Sequence, residues 1–259
     1  MTPPQAGAKK RILLTNPASE RSEGLDACRK RLRDWGAEVC HIPLIQIQAV
    51  PFQLPSPAQF EWLFFTSGNA VRTFYDKALA TESSWAQLPT SAVGSATAWE
   101  LRQFGIEPKH IPPRFDAESV AQDFIQTYNG TPLQALWPCG NLAEPKLPQL
   151  LGQAGIQVTP LITYETQERP LSAEEQAQLK SEFDLLVFAS PSAIKAYQKL
   201  SPNLPETTHI ACIGPTTAQA AKKTLGRCDI QAGIHTLEGL TDSIIQFYGE
   251  GLNDTQSRD

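Results

Sequence analysis

At 259 residues the chain has room for one large domain or two of ordinary size, and 41% hydrophobic residues suffice for packed cores. A net charge of −5 without a dense run of Lys and Arg argues against a nucleic-acid partner, whose phosphates need clustered cations. Five scattered cysteines with no C-x-x-C pair read as reduced structural thiols, and four histidines without H-x-H or H-E-x-x-H spacing argue against a metal.

The first ten residues carry Pro3, Pro4 and Gly7 but no apolar core of signal-peptide length, which sets the expectation of a cytoplasmic protein. No apolar segment approaches the ~20 residues of a membrane span, so no membrane partner is expected. Residues 12–14 form a short β-type run, followed by a helical pattern over 25–35 with Arg29, Lys30, Arg31 and Arg33 on a solvated face. Residues 42–50 are extended in character, contain Pro43-Leu-Ile45 and follow a helix-end glycine, Gly36. Residues 62–65 then lead into a helical pattern over 69–79, and 92–93 lead into one over 96–104.

About 120 residues further on the same blocks recur in the same order. Phe60-Glu-Trp-Leu-Phe-Phe-Thr-Ser-Gly-Asn-Ala-Val71 is matched by Phe183-Asp-Leu-Leu-Val-Phe-Ala-Ser-Pro-Ser-Ala-Ile194. Ala92-Val-Gly-Ser-Ala-Thr-Ala98 is matched by Cys212-Ile-Gly-Pro-Thr-Thr-Ala218, and Ala117-Glu-Ser-Val120 by Leu237-Glu-Gly-Leu240. Arg11-Ile-Leu-Leu-Thr15, Gly36 and Pro43-Leu-Ile45 are matched by Ala135-Leu-Trp-Pro138, Gly155 and Pro160-Leu-Ile162. Each block is a β-type run, a turn of Gly, Ser, Thr or Pro, and a helix. That alternation implies parallel sheets covered on both faces, with four strands per lobe from the alternating blocks. Right-handed crossovers then bring the repeated turns to one edge of each sheet, where ligands of such folds sit. Residues 42–49 and 159–167 break the alternation and read as linker strands.

Turns and linkers together resemble the uroporphyrinogen-III synthase family. The resemblance rests on Leu14-Thr-Asn-Pro17, Pro43-Leu-Ile-Gln-Ile47, Phe65-Thr-Ser-Gly-Asn-Ala-Val71, Gly94 with Thr97, Ile162-Thr-Tyr-Glu-Thr166, Ala189-Ser-Pro-Ser-Ala193 and Ile213-Gly-Pro-Thr-Thr-Ala218. It implies an α/β fold of two similar lobes, each a flavodoxin- or Rossmann-like parallel sheet flanked by helices, joined by a two-stranded β linker. Lobe 1 would be discontinuous, from 1–41 plus 168–259, and lobe 2 would hold 50–158. Cutting the chain once at the duplication, near Gly130, would give a different division. The sequence departs from the family where Asn16 replaces the usual Arg of Thr-Arg-Pro. It departs again around Cys139 and Lys146, where the family often carries arginines.

The resemblance further implies hydroxymethylbilane, a linear tetrapyrrole with eight carboxylates, as the substrate, and no cofactor. Loss of the terminal hydroxyl as water gives an azafulvene, and attack by the far ring through a spiro intermediate inverts ring D before closure. The expected work of the enzyme is therefore to hold the chain folded. An acidic protein can bind such an anion through helix N-termini, whose first N–H groups are unpaired. Thr66, Ser67, Asn69, Gly94 and Thr97 in one set of turns, and Ser190, Ser192, Gly214, Thr216 and Thr217 in the other, are the substrate-binding candidates. Hydroxyls at such turns are more often plain N-caps, each worth ~1 kcal/mol. Tyr164, on the second linker strand and facing the cleft in the family's arrangement, is the candidate acid for the leaving hydroxyl; strand packing is its other reading. His110 and His209 read as surface or strand-end residues, and Ser172 as the cap of a helix that begins with Glu174 and Glu175.

A monomer is expected, and an unstable substrate would favour transient contact with hydroxymethylbilane synthase. The alternatives are a non-catalytic tetrapyrrole-binding or regulatory protein of the same fold, or a bilobed small-molecule-binding protein. A nucleotide or nicotinamide enzyme is disfavoured because no G-x-G-x-x-G or P-loop follows any strand.

Overall fold

The structure, a computed structural model, describes residues 9–17, 23–114, 117–128, 133–201 and 203–250. Its elements, in order, are β1 (Arg11–Leu14), α1 (Glu23–Asp34), β2 (Glu38–His41), β3 (Ile45–Ala49), β4 (Trp62–Phe65), α2 (Gly68–Thr81), β5 (Thr90–Ala92) and α3 (Ser95–Gln103). There follow α4 (Ala117–Thr127), β6 (Leu133–Gly140), α5 (Lys146–Gln153), β7 (Ile156–Glu168), α6 (Ala173–Leu179), β8 (Leu185–Phe188), α7 (Pro191–Leu200), β9 (His209–Cys212), α8 (Pro215–Leu225), β10 (Ile230–Gln231) and α9 (Leu237–Glu250).

The chain divides into two compact units. One takes the chain up to Gln46 and again from Gln167 onward; the other is Ile47–Thr166. The first holds a sheet in the order β10-β9-β8-β1-β2, parallel between each pair of neighbours. The second sheet runs β3-β7-β6-β4-β5, with β7–β6, β6–β4 and β4–β5 parallel. Each sheet thus has five strands where the alternation alone predicts four. In the first sheet β2 and β10 are short and lack the apolar run that marks β4 and β8; in the second, β3 lies within the segment 42–49 expected as a linker strand. The segment 159–167, expected as the second linker strand, is extended and lies beside β3. It continues a 13-residue strand from Ile156, and its first part is fully paired with β6.

Local signals set the helix boundaries. Ser67 and Ser190 cap α2 and α7, accepting from the backbone N–H of Ala70 and Ala193. Pro191 and Pro215 occupy first helical positions, where a missing N–H costs nothing. Ser172 and Glu175 form a reciprocal capping box on α6, as the expected cap at Ser172 requires.

Apart from the end of β7, strand residues alternate between two cores in each unit. In the first, Leu13, Leu186, Phe188 and Ile210 face α7 and α8, while Ile12, Leu14, Leu185, Val187 and Ala211 face α1 and α9. In the second, Leu63, Phe65 and Leu136 face α2 and α3, whereas Phe64, Ala135 and Trp137 face α4 and α5. Both faces of each sheet are covered, which is why these strands read as continuous apolar runs.

His110 is a correction. It is 6% exposed, bridges backbone to Ser91 beside β5, and lies 2.8 Å from both Ser91 Oγ (through Nδ1) and Asp123 Oδ2 (through Nε2). Its neighbours Pro108, Pro112 and Pro113 suggest an exposed loop, whereas the bridge to Ser91 supplies a sixth position for the sheet edge and buries it. His209, at the start of β9, is a strand-end residue as expected.

Phe124 on α4 is the aromatic centre of its face, edge-on to Phe64 at 4.7 Å and to Trp62 at 4.9 Å. Phe124→Ala should destabilise the unit Ile47–Thr166 by about 3–5 kcal/mol. Hydrogen exchange should show faster exchange of the β4 and β6 amides and unchanged exchange in β1 and β8. Equal acceleration in both sheets would contradict separate cores.

Candidate functional site

In each sheet the strand order reverses at one point. From β8 the chain proceeds outward through β9 to β10, while β1 leads the other way to β2; likewise β4 leads to β5 and β6 leads to β7. The carboxyl ends of the paired central strands, β8 with β1 and β4 with β6, therefore border a gap from which crossover helices diverge.

In the unit Ile47–Thr166 this edge holds a connected set of side chains. Ser67, just past β4, accepts from Ala70 N–H at 3.2 Å and lies 3.1 Å from the Tyr164 phenol oxygen, where either hydroxyl can donate. Beside it, Thr66 Oγ1 accepts from Trp137 Nε1 at 3.3 Å. Burial raises the Tyr164 pKa above the ordinary tyrosine value, and the Ser67 hydrogen bond partly offsets that. The phenol is protonated at neutral pH. Gly140, at the end of β6, lies under the ring: a Cβ built there would come within 2.5 Å of Tyr164 Cζ.

Asn69 accepts from Arg72, whose other terminal nitrogen donates to Glu100 Oε2 at 2.6 Å. Glu100 is 5% exposed, so the Arg72 charge at this helix start is committed to a buried carboxylate. Gly94 caps α3 at φ 95°, in the left-handed region that a side chain disfavours. Thr97, one turn into α3, is buried.

The first unit repeats this pattern. Ser190 accepts from Ala193 N–H at 3.3 Å, and its hydroxyl lies 3.0 Å from that of Ser192. Gly214 caps α8 with the His235 ring against it, where a Cβ would sit 3.2 Å from His235 Cγ. Thr216 is exposed and Thr217 buried. At the end of β1, Thr15 donates to Val187 O at 2.7 Å, and Asn16 is 7% exposed with a buried Oδ1 that lacks a partner. The Asn16 carbonyl lies 2.9 Å from His41 Nε2; burial lowers the His41 pKa, so its ring is neutral at pH 7 and donates.

Of the residues singled out from sequence, the structure therefore joins Ser67 to Tyr164 and Ser190 to Ser192. Thr66, Gly94, Gly214 and Thr216 lie at strand-to-helix turns, Asn69 is held by Arg72, and Thr97 and Thr217 lie beneath their turns. Gly140, Trp137 and His41 belong to the same edges and escaped the sequence reading, whereas Asn16 was noted there only as a departure from the family pattern. Only Gly140 carried a signal, as a glycine closing an apolar strand, which marks close backbone approach. Among the described residues there is no group of three or more His, Cys, Asp or Glu placed to hold a metal ion. No described helix is long and apolar enough to cross a membrane.

The family model described as "Uroporphyrinogen-III synthase HemD" matches residues 26–242. A uroporphyrinogen-III synthase of Synechococcus elongatus is 30% identical, over 92% of this chain and 95% of its own length. One from Chlorobaculum parvum is 28% identical, over 85% of this chain and 92% of its own. Among solved structures, uroporphyrinogen-III synthetase from Helicobacter pylori superposes with a TM-score of 0.66 at 19% identity, covering 92% of this chain and 99% of that one. A mutant uroporphyrinogen III synthase from Thermus thermophilus gives 0.63 at 19% identity, covering 95% and 99%. These two likenesses show the two-lobed fold.

Removing the Arg72 side chain strands a buried carboxylate. Arg72→Met should destabilise the protein by about 3 kcal/mol, and the double variant Arg72→Met with Glu100→Gln should recover most of that loss in urea unfolding. Recovery of less than a quarter would show that Arg72 acts through something other than Glu100.

Proposed function

The chain belongs to the uroporphyrinogen-III synthase family, and on that premise we propose that it closes hydroxymethylbilane to uroporphyrinogen III, with loss of water and inversion of ring D, as a cyclising hydro-lyase of tetrapyrrole biosynthesis. The observation that carries the reading is the Tyr164 phenol, held on the α2 cap at the strand-end edge of its sheet.

The reaction begins when the terminal C–O bond breaks. A pyrrole nitrogen supplies the electron pair, hydroxide leaves as water once a proton reaches it, and the azafulvene carries the positive charge. Ser67 Oγ already accepts from Ala70 N–H, so its own hydrogen is available to Tyr164. With Ser67 donating to the phenol oxygen, the phenol hydrogen is free to point at the leaving hydroxyl. The same serine then steadies any phenolate character that develops. Attack by ring D at its substituted carbon needs only the pyrroles' own electron density, and the ring proton lost after the spiro intermediate rearranges passes to water or back to the phenolate oxygen. What the protein must add is a fold of the substrate in which those carbons meet.

Carboxylate recognition in this reading falls to helix N-termini. The starts of α2, α3, α7 and α8 lie at strand carboxyl ends, where their unpaired N–H groups and dipole favour anions. Arg72 contributes little, since Glu100 neutralises it.

The test is a coupled assay on freshly generated hydroxymethylbilane, with oxidised products separated by chromatography. A shift of the product formed from hydroxymethylbilane, from the type I to the type III isomer, is expected; type I alone from folded protein would reject the reading. Tyr164→Phe should lower kcat by at most about 100-fold, the low end for a positioned acid–base group. Because the Tyr164 pKa is raised, the group stays protonated beyond the ordinary tyrosine value, and it should impose no loss of kcat between pH 7 and about 10. An alkaline limb below pH 9 that vanishes in Tyr164→Phe would contradict this.

A further inference from the structure

Strict alternation along β7 would aim Tyr164 away from Ser67. Ile156 and Val158 face the α4–α5 core, so residues of that parity, 160, 162 and 164, belong on that side. Leu161, of the other parity, packs on the α2–α3 core. Yet Tyr164 also packs on the α2–α3 core and reaches Ser67 there.

The ladder with β6 explains the reversal. Its register holds from Leu133↔Ile156 to Cys139↔Ile162 and then jumps to Gly140↔Tyr164, leaving Thr163 as an extra residue. Thr163 is fully buried. Thr73 of α2 donates to its Oγ1 at 2.7 Å, and Thr163 Oγ1 lies 3.5 Å from the Cys139 carbonyl. Thr163 and Tyr164 therefore both point toward α2, and the ladder resumes beyond them, with Asn141 N–H donating to Tyr164 O at 3.1 Å. A bulge of this kind re-aims the side chain that follows it.

Resting on the role given to Tyr164 above, we propose that Thr163 and Gly140 are positioning residues for the reaction: the bulge at Thr163, pinned by Thr73, turns Tyr164 to the α2 cap, and the bare Cα of Gly140 leaves the space in which its ring lies. At Gly140 an added Cβ would meet Tyr164 Cζ, Cε2 and OH at 2.5, 2.6 and 2.9 Å. These atoms are the far end of a side chain, so the ring gives way rather than the backbone. Gly140→Ala should fold normally with its phenol displaced from Ser67.

The experiment combines Gly140→Ala and Tyr164→Phe, singly and together, in the coupled assay, with NMR of protein labelled at tyrosine 13Cζ. Five tyrosines give five signals, and the one lost in Tyr164→Phe identifies Tyr164. Gly140→Ala should shift that signal alone and lower kcat by the same factor as Tyr164→Phe, within about threefold, with the double variant no worse than either single one. Thr163→Val should lower kcat by about 2- to 10-fold at unchanged KM, the range for one lost hydrogen bond, and Thr163→Ser should restore it. If Tyr164→Phe is impaired while Gly140→Ala and Thr163→Val keep full kcat, the positioning inference is wrong and the role of Tyr164 stands. If Tyr164→Phe keeps full kcat and isomer ratio, the assigned role fails and the inference with it.

Discussion

A parallel strand can be followed by its neighbour only after the chain has crossed back, and in both sheets of this protein helices make most of those crossings. Every strand that feeds a helix must then end at the same edge of its sheet. That requirement gathers the starts of α2 and α3 in one unit and of α7 and α8 in the other, each with unpaired N–H groups and a capping hydroxyl or glycine. The alternation of core-facing side chains, the capping turns and the place of Tyr164 all depend on this one directional constraint. In an antiparallel sheet the same turns would be shared between two edges and could not converge.

The repeat in the sequence is not the unit of the fold. The segment β1-α1-β2 corresponds in sequence to β6-α5-β7, and β4-α2-β5-α3 corresponds to β8-α7-β9-α8. Each sheet takes one segment of each kind, but from opposite halves of the chain: β1 of the first half lies beside β8 of the second, and β6 of the second beside β4 of the first. The gap at which the strand order reverses is therefore the junction of the two halves. Neither half by itself supplies both sides of either edge as they occur here.

The chemistry proposed for these edges suits a chain of net charge −5. Long-range attraction for an anion is weak in such a protein. Short-range donors fixed by the helices act without added positive charge, and the one arginine at the α2 start is committed to Glu100. Tyr164 fits the same economy: a neutral donor whose proton is retained by burial and whose oxygen is held by Ser67. A carboxylic acid in its place would add to the negative charge facing the substrate.

Periodicity and turn residues determined much of the protein by themselves. The apolar runs at 62–65 and 185–188, each followed by a capping serine, specify strand, turn and helix locally, because neighbouring residues alone satisfy the backbone groups involved. The order of such blocks implied parallel sheets and the edge at which to look, and the resemblance carried by Ile162-Thr-Tyr-Glu-Thr166 singled out Tyr164. What lay beyond the sequence depends on residues far apart in the chain. His110 is buried because Ser91 and Asp123 close on it, and nothing in its proline-rich surroundings signals either partner. The strands β2 and β10 are too short to show a period of their own. The direction of Tyr164 was decided by a bulge that exists only as a mismatch in count between β6 and β7, two strands whose separate sequences are each regular. Local sequence can determine which residues are extended; which way a side chain points at the end of a strand is determined by the register with its neighbour, and that register is set only when the sheet has formed.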